Sequence, residues 1–198
     1  MIPDDDTIRR KVKTELRKRM RGLRQTTPLT ACIERSARIV TTLEALPELL
    51  GARHVALFFP IEERHEVDLR GLDASLRARG VSVYYPSIHP ETRDMTFRAV
   101  TRFDELEERG LGFREPSGDA PEATALDVVV VPCLAADPTG FRLGYGAGFY
   151  DRTLPRFSPP AFSVAVAYDY QLLAEIPKTE LDVAVAAVVT DARTLRVA

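Results

Sequence analysis

Near the middle of the chain, Asp127 is followed by four consecutive β-branched residues, Val128, Val129, Val130 and Val131. A strand with one wet face alternates polar and apolar residues, whereas an unbroken run of this kind belongs to a strand covered on both faces. The chain therefore needs a layer of structure on each side of a sheet, and its remaining segments supply the parts. His54 to Phe59 reads as a short apolar strand stopped by Pro60, Leu69 to Arg79 as a helix, and Val81 to Tyr85 as a second strand stopped by Pro86. Together they form one βαβ unit. Met95 to Arg102 alternates like a less buried strand, Phe103 to Glu108 reads as a short acidic helix or turn, and Gly110, Gly112, Pro116 and Gly118 mark loop. Further strands are expected at Phe162 to Tyr168 and Val185 to Thr190. The fold class is α/β: residues 1–198 as a single domain, with a doubly wound, mostly parallel sheet and helices on both faces.

A helical segment of about residues 6–46 precedes the sheet. Ile8, Val12, Leu16, Met20 and Leu23 recur at spacings of four and three, an apolar stripe capped by Asp6 or Thr7. The other face carries Arg9, Arg10, Lys11, Lys13, Arg17, Lys18, Arg19, Arg21 and Arg24 against the single acid Glu15, so an anion is expected there although the net charge is only −2. A second helix, opened by Thr27-Pro28, is expected to bury Ile33, Ala37, Val40 and Leu43. The acidic start, Met1 to Asp6, lacks the apolar stretch of a secretory signal, and no run is long enough to span a bilayer. Cys32 and Cys133 are far apart and outside any CxxC pair, which suggests neither a disulfide framework nor a zinc site, and a reducing, cytoplasmic setting. Cys133 reads as a packed thiol, and His54, His65 and His89 lack metal-ligand spacing.

The chemistry is concentrated after the valine run, in the stretch Val131 to Arg152 (VPCLAADPTGFRLGYGAGFYDR). Open α/β sheets bind ligands at the carboxyl ends of their strands. Gly144, Gly146 and Gly148 let the backbone approach a ligand, and successive amides cup phosphate oxygens. A helix starting near Gly148 would turn free N–H groups to the same anion. Asp151 suits the magnesium that accompanies a nucleotide phosphate, and Arg142 or Arg152 the phosphate charge. The stretch is neither a Walker loop, which needs GK[ST], nor the dinucleotide fingerprint GxGxxG. The glycine triplet alone also suits a plain turn.

Taken whole, Val131 to Arg152 resembles the signature of the 5-formyltetrahydrofolate cyclo-ligases, also called methenyltetrahydrofolate synthetases. The resemblance extends to Lys13, Leu16 and Arg17; to Pro60 with Glu66-Val67-Asp68; to Gly112 with Glu115-Pro116; to Tyr168 with Gln171; and to Ile176-Pro177 with Asp182 and Thr190. It implies a doubly wound sheet and an enzyme that uses ATP and Mg2+ to convert 5-formyltetrahydrofolate to 5,10-methenyltetrahydrofolate with release of ADP and phosphate. A formamide oxygen leaves poorly, and phosphorylation turns it into phosphate, so the protein aligns groups, neutralises charge and excludes water.

The resemblance further places Lys13, Arg17 and the loop from Arg142 through Leu143, Gly144, Tyr145, Gly146, Ala147, Gly148, Phe149 and Tyr150 to Asp151 on the nucleotide. It assigns Asp151 and Asp182 to the metal, Glu66, Phe149 and Tyr150 to the folate, and Tyr150 and Arg142 to catalysis. A monomer acting on a small molecule, without membrane or nucleic acid, is the corresponding expectation. Phe149 stands where the family usually has Tyr, and Ala147 where bacterial members usually have Gly. With the cationic helix, these departures leave an alternative: a non-catalytic relative that binds folate, nucleotide or RNA.

Overall fold

The structure, a computed structural model, describes residues 5–109 and 112–197. The acidic start up to Asp4 and Gly110, read above as loop, lie outside the described residues. The chain runs α1 (Asp5–Thr26), α2 (Leu29–Glu44), α3 (Pro47–Leu50), β1 (His54–Ala56), α4 (Arg70–Ala78), β2 (Ser82–Ile88), β3 (Met95–Ala99), β4 (Leu106–Glu108), β5 (Arg114–Pro116), β6 (Val128–Pro132), β7 (Ala135–Ala136), β8 (Arg142–Leu143), α5 (Phe149–Thr153), β9 (Phe162–Val166), β10 (Ala187–Val189) and β11 (Thr194–Arg196).

Seven strands form one sheet in the order β11-β10-β9-β6-β1-β2-β3. The five inner strands are parallel, and β3 and β11 close the edges antiparallel. The valine run is β6, at the centre, and Val128 to Val131 are fully buried. Alternation divides it between two cores. Val128 and Val130 join Ile39 and Leu43 of α2 and Leu72 and Leu76 of α4 on one face, while Val129 and Val131 join Phe97, Leu154 and Phe157 on the other. Asp127 fixes the start of the pairing with β1 by accepting the amides of Arg53 at 2.7 Å and His54 at 2.9 Å. Those two bonds, working against burial, hold its carboxyl below the ordinary range.

Several local expectations need correction. The buried stripe of α2 is Cys32, Ser36, Ile39 and Leu43; Leu43 is buried as expected, the other three each lie one position before the expected residue, and Ile33 is 60% exposed. A serine and a cysteine concealed that stripe; the Ser36 hydroxyl accepts the Asp68 amide at 3.1 Å and lies 3.3 Å from the Tyr168 hydroxyl. In α1 the buried residues are Lys13, Met20 and Arg24, while Ile8, Val12 and Leu23 are each more than 40% exposed. Pro86 does not end β2, because it lies beyond the residues paired with β1, where a missing N–H breaks no ladder bond. The hairpins β4–β5 and β7–β8 and the edge strand β11 are too short to carry a periodic signal.

Candidate active site

The chain leaves β1 toward β2 on one side of the sheet, and the strands after β6 run to the other side. The boundary between β1 and β6 is a switch point, where connections diverge and leave a crevice at the carboxyl ends. A cavity of about 1180 Å³ opens there, lined by Phe58 and Phe59 after β1, Pro86 and Ile88 of β2, and Pro132 of β6. α1 and the loop from Arg142 to Arg152 form its other walls.

The hairpin β7–β8 launches that loop. The buried Asp137 carboxylate gathers its turn by accepting the Thr139 amide at 2.9 Å, the Thr139 hydroxyl at 2.7 Å, the Phe141 amide at 3.2 Å and the Ile176 amide at 2.9 Å. Gly140 in this turn has φ +82°, and a Cβ there would lie 2.4 Å from the Val185 carbonyl oxygen. Further on, Gly146 has φ +108°, a conformation that side chains rarely adopt, with the Arg17 guanidinium packed against it. Ala147 is not among the positive-φ residues, so its methyl group is accommodated without strain. Five-residue α5 starts after Gly148, as the glycine pattern suggests.

Of the residues singled out by resemblance, Lys13, Arg17, Glu66, Arg142, Gly144, Tyr145, Gly146, Ala147, Gly148, Phe149, Tyr150, Asp151 and Asp182 all line this cavity. Leu143 does not; its side chain is fully buried with Met20, Leu134, Ala135 and Ile176. Lys13 Nζ donates to Asp182 Oδ2 at 2.5 Å, and Arg17 Nε to the Gly144 carbonyl at 2.9 Å. Burial pushes the Asp182 carboxyl up, but the Lys13 ammonium and the Thr179 amide and hydroxyl outweigh it, leaving its pKa below the ordinary range. Arg142 is buried, donating through Nη1 to the Val183 carbonyl at 2.5 Å and through Nη2 to Asp151 Oδ1 at 2.9 Å.

Asp151 Oδ1 also accepts the Val183 amide at 3.2 Å, which draws this acid beside the residue that follows Asp182. Among the described residues no group of three or more His, Cys, Asp or Glu side chains could hold a metal. Magnesium asks for less, since one or two carboxylates with phosphate and water complete its shell. Among the described residues, both hydrogen bonds to Asp151 go to Oδ1 and all three to Asp182 go to Oδ2, so one oxygen of each acid is left for such an ion. The residues fit the metal.

Glu66 is 8% exposed; its Oε2 accepts the Ile61 amide at 2.9 Å and its Oε1 accepts the Tyr145 hydroxyl. Burial, and then the charge of Glu66, push the Tyr145 hydroxyl up to about 12. The Tyr150 ring packs beside Phe97, at 6.2 Å between centroids, and its hydroxyl is buried without a hydrogen-bond partner among the described residues. Burial and the Glu66 charge raise the pKa of this group too, so at neutral pH it can donate a proton in a hydrogen bond but is no base. Phe149, lacking a hydroxyl, lies between two guanidinium groups, Arg93 at 5.6 Å and Arg152 at 5.5 Å from the ring centroid.

Other motif residues support the site from behind. The Tyr168 hydroxyl donates to the Glu66 carbonyl at 3.1 Å, and Gln171 Nε2 donates to the Leu134 carbonyl at 2.7 Å. The Cys133 thiol, pushed up to about 12 by burial, is a packed group as expected. Arg64 and Arg93 escaped the sequence reading, which took Arg24 only as one charge of the cationic face. Arg24 is hidden in a run of similar charges, and Arg93 owes its place to a positive φ of 62° in the β2–β3 turn.

Known proteins resemble this chain in sequence and in fold. A model of the 5-formyltetrahydrofolate cyclo-ligase family matches residues 9–191. The 5-formyltetrahydrofolate cyclo-ligase of Escherichia coli K12 is 33% identical over 165 residues, covering 81% of this chain and 90% of its own. That of Haemophilus influenzae is 31% identical, covering 88% of this chain and 93% of its own. The structure of the 5,10-methenyltetrahydrofolate synthetase of Aquifex aeolicus superposes with a TM-score of 0.80 at 29% identity, covering 93% of this chain and 92% of the other.

Proposed function

Because the chain belongs to the 5-formyltetrahydrofolate cyclo-ligase family, we propose that it catalyses the ATP-dependent cyclisation of 5-formyltetrahydrofolate to 5,10-methenyltetrahydrofolate, with release of ADP and phosphate. One observation carries the reading: a cationic, glycine-rich loop with two magnesium-competent acids shares a single cavity with a buried carboxylate and an apolar wall. That combination suits a nucleotide at one end and a flat heterocycle at the other.

ATP supplies the phosphoryl group that turns the formyl oxygen into a phosphate, so that the neighbouring amine nitrogen can close the ring and expel it. Lys13 and Arg17 from α1, with Arg142 and the amides of the loop from Gly144 to Gly148, bind the nucleotide phosphates. Asp151 and Asp182 are the residues that would hold Mg2+, which would neutralise phosphate charge there. Glu66 accepts N–H bonds from the pterin, with Phe58, Phe59 and Phe113 providing the apolar wall. Phe149 packs on the substrate as a bare ring. The partnerless hydroxyl of Tyr150 donates to the formyl or phosphoryl oxygen as charge develops there, and Arg142 neutralises that charge.

The chain works as one domain, since both of its ends contribute to the cavity wall: α1 on one side, Thr179 to Asp182 on the other. The two cysteines are free and buried, which suits a reducing cytoplasm.

The test follows the near-ultraviolet absorbance of methenyltetrahydrofolate when protein is mixed with 5-formyltetrahydrofolate and Mg-ATP. A rise that disappears when ATP is omitted is expected. Folded protein that gives no signal with ATP present overturns the reading.

A further inference from the structure

Arg24 closes α1, and by charge alone it resembles its solvated neighbours, yet it is 3% exposed. Its Nη2 donates to the Tyr145 hydroxyl and lies 3.6 Å from Glu66 Oε1. The Tyr145 hydroxyl in turn donates to that same Oε1. The order of donors is thereby fixed, from Arg24 to Tyr145 to Glu66. A carboxylate as buried as Glu66 needs a compensating charge, and Arg24 is the cation paired with it among the described residues. The Arg24 Nε is buried and has no hydrogen-bond partner among the described residues. The guanidinium is held where Glu66 needs it.

We propose that Arg24 is a positioning residue for substrate binding, which aims the Glu66 carboxylate into the cavity both directly and through the Tyr145 hydroxyl. The inference rests on the folate-binding reading of Glu66 above. It also ties two parts of the site together, because Tyr145 belongs to the glycine-rich loop and Glu66 to the segment after β1.

The experiment is steady-state kinetics of Arg24→Met, Arg24→Lys and Tyr145→Phe, with KM determined separately for 5-formyltetrahydrofolate and ATP, and with folding checked by thermal unfolding. Arg24→Met is expected to raise the folate KM about tenfold or more, leaving the ATP KM within about twofold, because an unpaired buried carboxylate is displaced or neutralised. Arg24→Lys restores part of the loss, since it keeps the charge without the fork. In a Glu66→Gln background, Arg24→Met adds less than about twofold, as expected for residues acting through one another. Both KM values moving together, or a full additional penalty in the Glu66→Gln background, overturns the proposal. Should Arg24→Met fail to fold, Tyr145→Phe decides: a selective rise in the folate KM sustains the proposal, and an unchanged folate KM overturns it. Absence of turnover in the wild-type protein overturns the functional reading itself, whereas wild-type turnover with unaltered variants overturns the role of Arg24 alone.

Discussion

Lys13 and Asp182, 169 positions apart, meet at 2.5 Å and fasten the first helix to the loop that precedes β10. The pair sets a pH dependence of stability. The Asp182 carboxyl titrates below its ordinary value of 3.8 when folded. Its contribution is therefore complete above that value and is lost as pH falls through the folded pKa. Melting temperature is expected to drop as pH is lowered from about 5 to about 2, and Lys13→Met should flatten part of that drop. A Lys13→Met curve parallel to wild type across this range would contradict the assignment.

Tyr150→Phe separates stability from activity. The hydroxyl makes no hydrogen bond, so its removal should leave the melting temperature unchanged or slightly raised. Turnover should fall about 10- to 100-fold if the group donates to the reacting oxygens. Calorimetry and initial rates on the same preparation check both halves.

Asp151→Asn should raise the Mg2+ concentration needed for half-maximal rate by about tenfold or more, because the site loses one of two carboxylates. A magnesium titration at fixed ATP reads this directly. Asp182→Asn is expected to act in the same direction, with an added loss from the freed Lys13.

Gly140→Ala should be severe although Gly140 touches no substrate. It requires φ of +82° and brings a Cβ to 2.4 Å from the Val185 carbonyl oxygen. A cost on the order of 3 kcal/mol is expected. At about 2–4 °C per kcal/mol for a chain of this size, the melting temperature falls by about 6–12 °C. The neighbouring Gly144, where a Cβ would meet nothing within 4 Å, is the control and should tolerate Ala in a stability assay.

The central strands were legible because burial on both faces leaves no polar residue in Val128 to Val131 to confuse the pattern. Helix positions were legible too, but their faces only in part. Met20 in α1 and Leu43 in α2 are buried as expected, whereas the inward groups also include Lys13 and Arg24 in α1 and Cys32 and Ser36 in α2, which a count of apolar residues passes over. The nucleotide loop was legible from glycine spacing and resemblance. Arg64 and Arg93 were not, because what brings them to the cavity is a turn geometry and not a motif. Pairings such as Arg142 with Asp151 and Lys13 with Asp182 are tertiary facts: the sequence holds the charges but not their partners.

The anchorage of α1 has a consequence for engineering the protein. Arg9 reaches the Lys178 carbonyl, Lys13 reaches Asp182, Arg17 the Gly144 carbonyl, and Arg24 Tyr145 and Glu66. The helix is thus moored largely by the same cations that give the cavity its charge. Replacing them with apolar residues to tighten the helix would strip the site. Stabilisation of this chain is best sought elsewhere, for example at the exposed Ile33 or Leu50, where nothing in the cavity is at stake.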